Sequence, residues 1–157
     1  MFSLGKYKIF NHSKVFDDLY YEACKQLISE NTLTQHDVCR VEKSIKKCKF
    51  EEKIFFYQKN NQIIGFCIYD IIDDYCVIIL DFVQKKYKGG GRKCRELIAK
   101  EFKNKKGIKL SVNIKNFNSF NSLNKLEKSI GKSFSQIKKE TRIDFPDHIF
   151  MTLVNRP

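Results

Sequence analysis

Hydrophobic positions recur along this chain with two different periods. Lys8–Phe10 reads as a short first strand. From Ser13 onward, Val15, Leu19, Cys24, Leu27 and Ile28 fall near helical spacing, which predicts an amphipathic helix with Ser13 as its N-cap. A second helix is expected to start around Thr34–Asp37 and run through Val38, Val41 and Ile45 to about Cys48. The period then shortens. Lys53–Gln58, Ile63–Ile72 and Tyr75–Val83 read as three consecutive strands, separated by turns at Lys59-Asn60-Asn61-Gln62 and Asp73-Asp74. Strands joined so tightly form an antiparallel meander. The third is nearly all apolar (Val77, Ile78, Ile79, Leu80, Phe82, Val83), as expected of a central strand covered on both faces.

Beyond a glycine-rich segment, Cys94, Leu97, Ile98 and Phe102 mark the buried stripe of a third helix, which Lys105-Lys106-Gly107 closes. Ile108–Ile114 alternates as a strand. A polar helix is expected over Asn116–Ile130, with Phe120, Leu123, Leu126 and Ile130 inward and Gly131 as its stop. Ser135–Phe145 and His148–Val154 read as a hairpin across Pro146-Asp147. The predicted order is β-α-α-β-β-β-α-β-α-β-β. It describes an α/β (α+β) protein with a mixed, mostly antiparallel sheet of six to seven strands and helices on both faces. With 157 residues and no Pro/Ser linker, one domain over 1–157 is expected.

Composition supports a packed core, since 42% of residues are apolar and 13% aromatic. The apolar runs are strand-sized, too short to span a bilayer, and Met1–Lys6 lacks the apolar stretch of a signal peptide. A soluble, cytoplasmic protein is expected. Cys24, Cys39, Cys48, Cys67, Cys76 and Cys94 contain no Cys-x-x-Cys pair and read as small hydrophobes. His12, His36 and His148 fall in no ligand cluster, so no metal is expected.

Charge changes the picture. Residues 1–83 carry 11 Lys/Arg against 12 Asp/Glu, a net of −1, whereas residues 84–157 carry 19 against 6, a net of +13. The excess begins where the glycines begin, and it suggests a polyanionic ligand. A competing explanation is a solvated, Lys-rich surface, because Lys far outnumbers Arg.

Gly89-Gly90-Gly91 lies between a buried strand and a helix. Glycine helps where φ is positive or where another group must approach the main chain. A helix N-terminus adds free N–H groups and a positive dipole end, and Lys88, Arg92 and Lys93 surround it with charge. Phosphate oxygens are the natural ligand; a flexible basic turn is the alternative. Neither the Walker A pattern nor the Rossmann glycine pattern fits.

The segment Val83-Gln84-Lys85-Lys86-Tyr87-Lys88-Gly89-Gly90-Gly91-Arg92-Lys93 resembles the acetyl-CoA signature of the GNAT acetyltransferases. Val83, Tyr87, Gly89 and Gly91 match it; Lys88 replaces the usual Arg or Gln, and Lys93 stands where the family has Gly or Ala. The order of elements is similar to the family's along nearly the whole chain. The resemblance implies acetyl-CoA as acyl donor, with pantetheine added along the backbone of Phe82 and Val83. The pyrophosphate would then lie on the amides of Lys88, Gly89, Gly90, Gly91, Arg92 and Lys93. It implies an N-acetyltransferase in which an amine, on a protein or a small molecule, attacks the thioester directly, with a strand N–H polarising the carbonyl.

Many relatives place a Tyr on the fourth helix, four residues before its glycine; here that position is Glu127, and no Tyr occurs from Asn113 to Pro157. Asp81, a carboxylate inside an apolar strand, is the preferred candidate base; an Asp paired with a lysine is the competing reading. Glu127 is the second candidate. Tyr87 reads as packing beside the loop. Two other functions stay open: a GNAT-like binding module without catalysis, and a basic nucleic-acid-binding protein. Against the latter, the aromatic residues do not interleave with the basic ones along the chain. The sequence leaves the oligomeric state open.

Overall fold

The computed structural model describes residues 1–29, 35–113 and 134–157; for residues 35–40 and for Asn113 the description stops at the backbone. The elements are β1 (Phe2–Lys6), α1 (Ile9–Ser29), α2 (Gln35–Phe50), β2 (Ile54–Lys59), β3 (Gln62–Ile72), β4 (Tyr75–Val83), α3 (Gly90–Glu101), β5 (Gly107–Asn113), β6 (Phe134–Arg142) and β7 (Phe145–Asn155). Seven strands form one sheet in the order β1-β2-β3-β4-β5-β7-β6. β4 and β5 are parallel, whereas β1–β2, β2–β3, β5–β7 and β6–β7 are antiparallel. The chain divides into two compact units: Met1–Asp70 with Ile79–Lys88, and Ile71–Ile78 with Gly89–Pro157.

The first unit is built on an aromatic core. Phe16, Leu19 and Ala23 of α1 and Ile45 and Cys48 of α2 share it with Ile54, Phe56, Phe66 and Ile68. The β2–β3 turn is tight because Asn60 and Asn61 both take left-handed φ, 52° and 66°, the geometry that matches the twist of a two-residue hairpin. The first strand lies earlier than the apolar triplet Lys8–Phe10 suggests. Phe10 is 99% exposed, and Ile9 already opens α1. The local cause is polar: the Lys8 carbonyl accepts from the Asn11 and His12 amides, and the Lys8 amide donates to His12 Nδ1. Glu52 takes the Ile9 amide. Ser13 is therefore inside the helix and caps nothing.

Asp70 is a buried carboxylate in this unit, and it accepts from Lys53 at 2.6 Å and Lys47 at 3.2 Å. Its hydrogen bond, joined by that of Glu51, holds the Lys53 ammonium above its ordinary range. Burial pushes the Cys48 thiol up to about 11, which keeps it protonated at neutral pH, as a small hydrophobe should be.

In the second unit, the Asp73-Asp74 turn repeats the left-handed pair, at 52° and 65°. β4 runs beside β5 in parallel through Tyr75↔Gly107, Cys76↔Ile108 and Val77↔Lys109. The Asn155 side chain ties the end of α3 to β7 by donating to the carbonyls of Phe102 and Lys105. Burial alone pushes the Cys76 thiol up to about 12. The closing hairpin turns at Ile143-Asp144, earlier than the expected Pro146-Asp147. Pro146 instead sits in β7, beside a register shift between Glu140 and Arg142, the kind of irregularity at which a strand tolerates proline.

β4 is less covered than its apolar run suggests: Cys76 and Phe82 are buried and its other residues are half-buried. β3 is the more enclosed strand, buried continuously from Ile64 to Ile68. The expected helix over 116–130 lies outside the described residues.

Gly107 shows how closely the second unit is packed. A β-carbon there would fall against the Leu153 carbonyl and 3.1 Å from Val154 Cα. Gly107→Ala is expected to cost about 3 kcal/mol, because rigid backbone must move apart. Denaturant unfolding measures it; a loss below 1 kcal/mol would show that β5 and β7 separate easily.

Candidate functional site

The segment between β4 and α3 gathers the residues that the sequence singles out. Two contacts with β3 hold the end of β4. The Phe82 carbonyl oxygen packs against Gly65, and the Gln84 amide donates to the Ile64 carbonyl at 3.0 Å. Phe82 itself is buried and Val83 half-buried. The Gln84 side chain donates to the Glu22 carboxylate of α1 at 3.0 and 3.3 Å. Tyr87 closes a turn by donating its amide to the Gln84 carbonyl. Its ring is half-buried, with Lys86 Nζ at 5.3 Å and Lys59 Nζ at 5.8 Å from the centroid. Tyr87 thus packs beside the loop.

Gly89 has φ 73° and ψ 0° and forms the N-cap of α3. A β-carbon there would meet nothing within 4 Å, so backbone conformation alone demands glycine. Gly90 is buried and Gly91 half-buried at the start of the helix. The first helical bond is from the Lys93 amide to the Gly89 carbonyl, at 3.3 Å. The amides of Gly90, Gly91 and Arg92 therefore have no partner within the helix, and Gly89 has no side chain to cap them. They form three successive donors at the positive end of a 12-residue helix. Arg92 and Lys93 are exposed in the same turn, and Lys88 is exposed just before the N-cap in sequence. A first turn of this kind suits an anion held by main-chain donors beside basic side chains. It narrows the expected amide set, since the Lys93 N–H is already used by the helix; that residue offers its side-chain charge.

Asp81 lies on β4, half-buried and one residue before buried Phe82. Glu127 lies outside the described residues. His12 accepts from the Lys8 amide and touches Tyr7 and Phe56, while His148 touches Phe145 and Phe150. Among the described residues, no group of three or more His, Cys, Asp or Glu is placed to hold a metal. No described helix is long and apolar enough to cross a membrane.

Gly65 was not visible as a site residue from sequence. Its only sequence signal is a glycine inside a strand pattern, which marks a bulge or a close backbone approach. Both occur here. The β2–β3 register shifts between Tyr57 and Gln58, leaving Ile64 as the extra residue, and Gly65 lies under the Phe82 carbonyl, with its β-carbon position 2.9 Å from Val83 Cα. Any side chain at Gly65 displaces the end of β4. If the end of β4 holds the pantetheine of acetyl-CoA, as the sequence resemblance implies, Gly65→Ala should weaken acetyl-CoA binding roughly tenfold by shifting Phe82 and Val83. It should leave unchanged the binding of adenosine 3′-phosphate 5′-diphosphate, which lacks pantetheine. Isothermal titration with both ligands checks this; equal losses would mean that Gly65 only supports the fold.

No protein-family model and no curated protein matches the sequence. Solved structures do match the fold. A GNAT-family acetyltransferase from Listeria monocytogenes is 11% identical with a TM-score of 0.66, over 98% of this chain and 94% of that one. Ard1 from Thermoplasma volcanium is 14% identical with a TM-score of 0.62, over 99% of each chain. YncA from Salmonella typhimurium, solved with its cofactor acetyl-CoA, is 12% identical with a TM-score of 0.62, over 100% and 95%. The fold of this chain is that of the GNAT acetyltransferases.

Proposed function

We propose that residues 1–157 form a single acetyl-CoA-binding domain that acts as an N-acetyltransferase on an amine. The observation that supports this most directly is the first turn of α3. It combines a left-handed Gly89, three amides without helical partners and three exposed cations. A diphosphate presents the complementary charge and oxygen acceptors. The chain also has the fold of proteins solved with acetyl-CoA or CoA.

In this reading the amides of Gly90, Gly91 and Arg92, with Lys88, Arg92 and Lys93, hold the pyrophosphate. The backbone of Phe82 and Val83 orients pantetheine, fixed in place by Gly65 and Ile64 of β3. Bound there, acetyl-CoA supplies an acetyl thioester. The Asp81 carboxylate takes a proton from the incoming amine. The new N–C bond forms as the C–S bond breaks, and the thiolate takes a proton from water. No Tyr is available beyond Asn113 to protonate it; a thiolate is a good enough leaving group to depart without one.

The test is release of free CoA thiol on mixing the protein and acetyl-CoA with a panel of amines: N-terminal peptides, lysine peptides, polyamines and small amines. Turnover with one class identifies the acceptor. Cofactor binding without turnover on any of them would favour the non-catalytic module, the reading that the absent Tyr supports.

A further inference from the structure

In the linear sequence the aromatic and basic residues do not alternate, but strand pairing brings them together. Residues paired across strands share a face of the sheet. In the second unit, Val77, Lys109, Thr152 and Lys138 form one row across β4, β5, β7 and β6. Ser111, Phe150 and Glu140 form the next. The alternate residues Ile108, Val112, Met151 and Leu153 are buried, so the opposite face holds the core. On the first face Lys109, Lys138 and Arg142 are exposed, and two of them lie over aromatic rings. Lys109 Nζ is 4.6 Å from the Tyr75 centroid, and Arg142 Cζ is 4.0 Å from that of Phe150. Phe145 and His148 both touch Phe150 from the side.

We infer that this face binds single-stranded RNA. The three cations match a phosphate backbone in sign. The Arg142 guanidinium, supported from beneath by Phe150, offers a stacking plane for an unpaired base, a mode that tolerates any sequence. Stacking of this kind needs unpaired bases, which favours a single strand. Exposed Ser111 and half-buried Thr152 place hydroxyls beside Lys109, within the rows where a ribose 2′-OH would lie. Glu140 opposes this charge and pairs with Arg142 at 3.5 Å; Glu140→Gln should therefore tighten binding. The inference is independent of the acetyl-CoA reading, because none of these residues belongs to the β4–α3 loop.

The experiment is fluorescence anisotropy of the whole protein with a labelled RNA of about 12 nucleotides, between 50 and 200 mM NaCl, each variant's melting temperature serving as its folding control. Three phosphate contacts predict a log–log salt slope of about −2. The double variant Lys109→Glu, Lys138→Glu should weaken binding at least tenfold and flatten the slope. Phe150→Ala should weaken it about fivefold or more with the slope kept. Lys139→Glu, one residue from Lys138 but paired with buried Met151, should change affinity less than twofold. The inference is overturned if RNA does not bind at 50 mM salt, or if Lys139→Glu costs as much as the double variant. Equal affinity for DNA of the same sequence would overturn the ribose contact and RNA as the ligand.

Discussion

Acetyl-CoA at 100 times its dissociation constant is expected to raise the melting temperature by roughly 5–10 °C, and Gly91→Trp is expected to abolish that rise. The size follows from linkage: about 2.7 kcal/mol of stabilisation, at about 2–4 °C per kcal/mol for a chain of this length. Gly91 is half-buried in the first turn of α3, between Gly90 and Arg92, whose amides also lack a helical partner. An indole there keeps helical φ and ψ available, so the unliganded protein should still fold. What it removes is the close approach of a phosphate to the Gly90, Gly91 and Arg92 amides. Differential scanning fluorimetry of both proteins, with and without cofactor, reads the result. A shift that survives in the variant would place the cofactor elsewhere. No shift in either protein would leave the loop a basic turn.

This loop was legible in the sequence because its chemistry is local. Three glycines, flanking cations and a helix start are adjacent residues, and the structure needs only a left-handed Gly89 to complete them. The meander was legible for a similar reason. Asn60-Asn61 and Asp73-Asp74 are residues that accept positive φ, and they fix the hairpins on either side of β3. The start of α1 was not legible. Lys8-Ile9-Phe10 has the composition of a strand, and its helical fate depends on Glu52, more than forty residues away, accepting the Ile9 amide. The final turn differs because proline signals a turn in sequence, whereas Pro146 lies in β7 beside a register shift. Gly65 carries the same lesson for the site. One glycine in a strand says that something comes close, but only the register shows that it is the Phe82 carbonyl.

Charge was legible in amount but not in arrangement. The +13 of residues 84–157 is a sum over the chain, and a sum does not distinguish a ligand site from a solvated surface. The fold gathers part of it in two groups. Lys88, Arg92 and Lys93 flank the start of α3 in sequence, while Lys109, Lys138 and Arg142 share a sheet face with Tyr75 and Phe150. The first group is contiguous in sequence. The second is assembled by strand register alone, which is why aromatic and basic residues far apart in the chain meet there.

Asp81→Asn should lower kcat about 100-fold while leaving the acetyl-CoA-induced melting shift intact, at the lower end of what general base catalysis contributes. The substitution keeps the size of the side chain while removing its charge and its ability to take a proton. Asp81 is half-buried on β4, immediately before the segment that Gly65 and Ile64 hold in place. A base needs a backbone that does not drift. If Asp81 is the base, kcat should fall in the variant while its melting temperature holds. If the carboxylate only braces the strand, the melting temperature should fall and kcat should change little. Glu127→Gln in parallel separates the two candidates, because the large loss should follow one carboxylate and not the other.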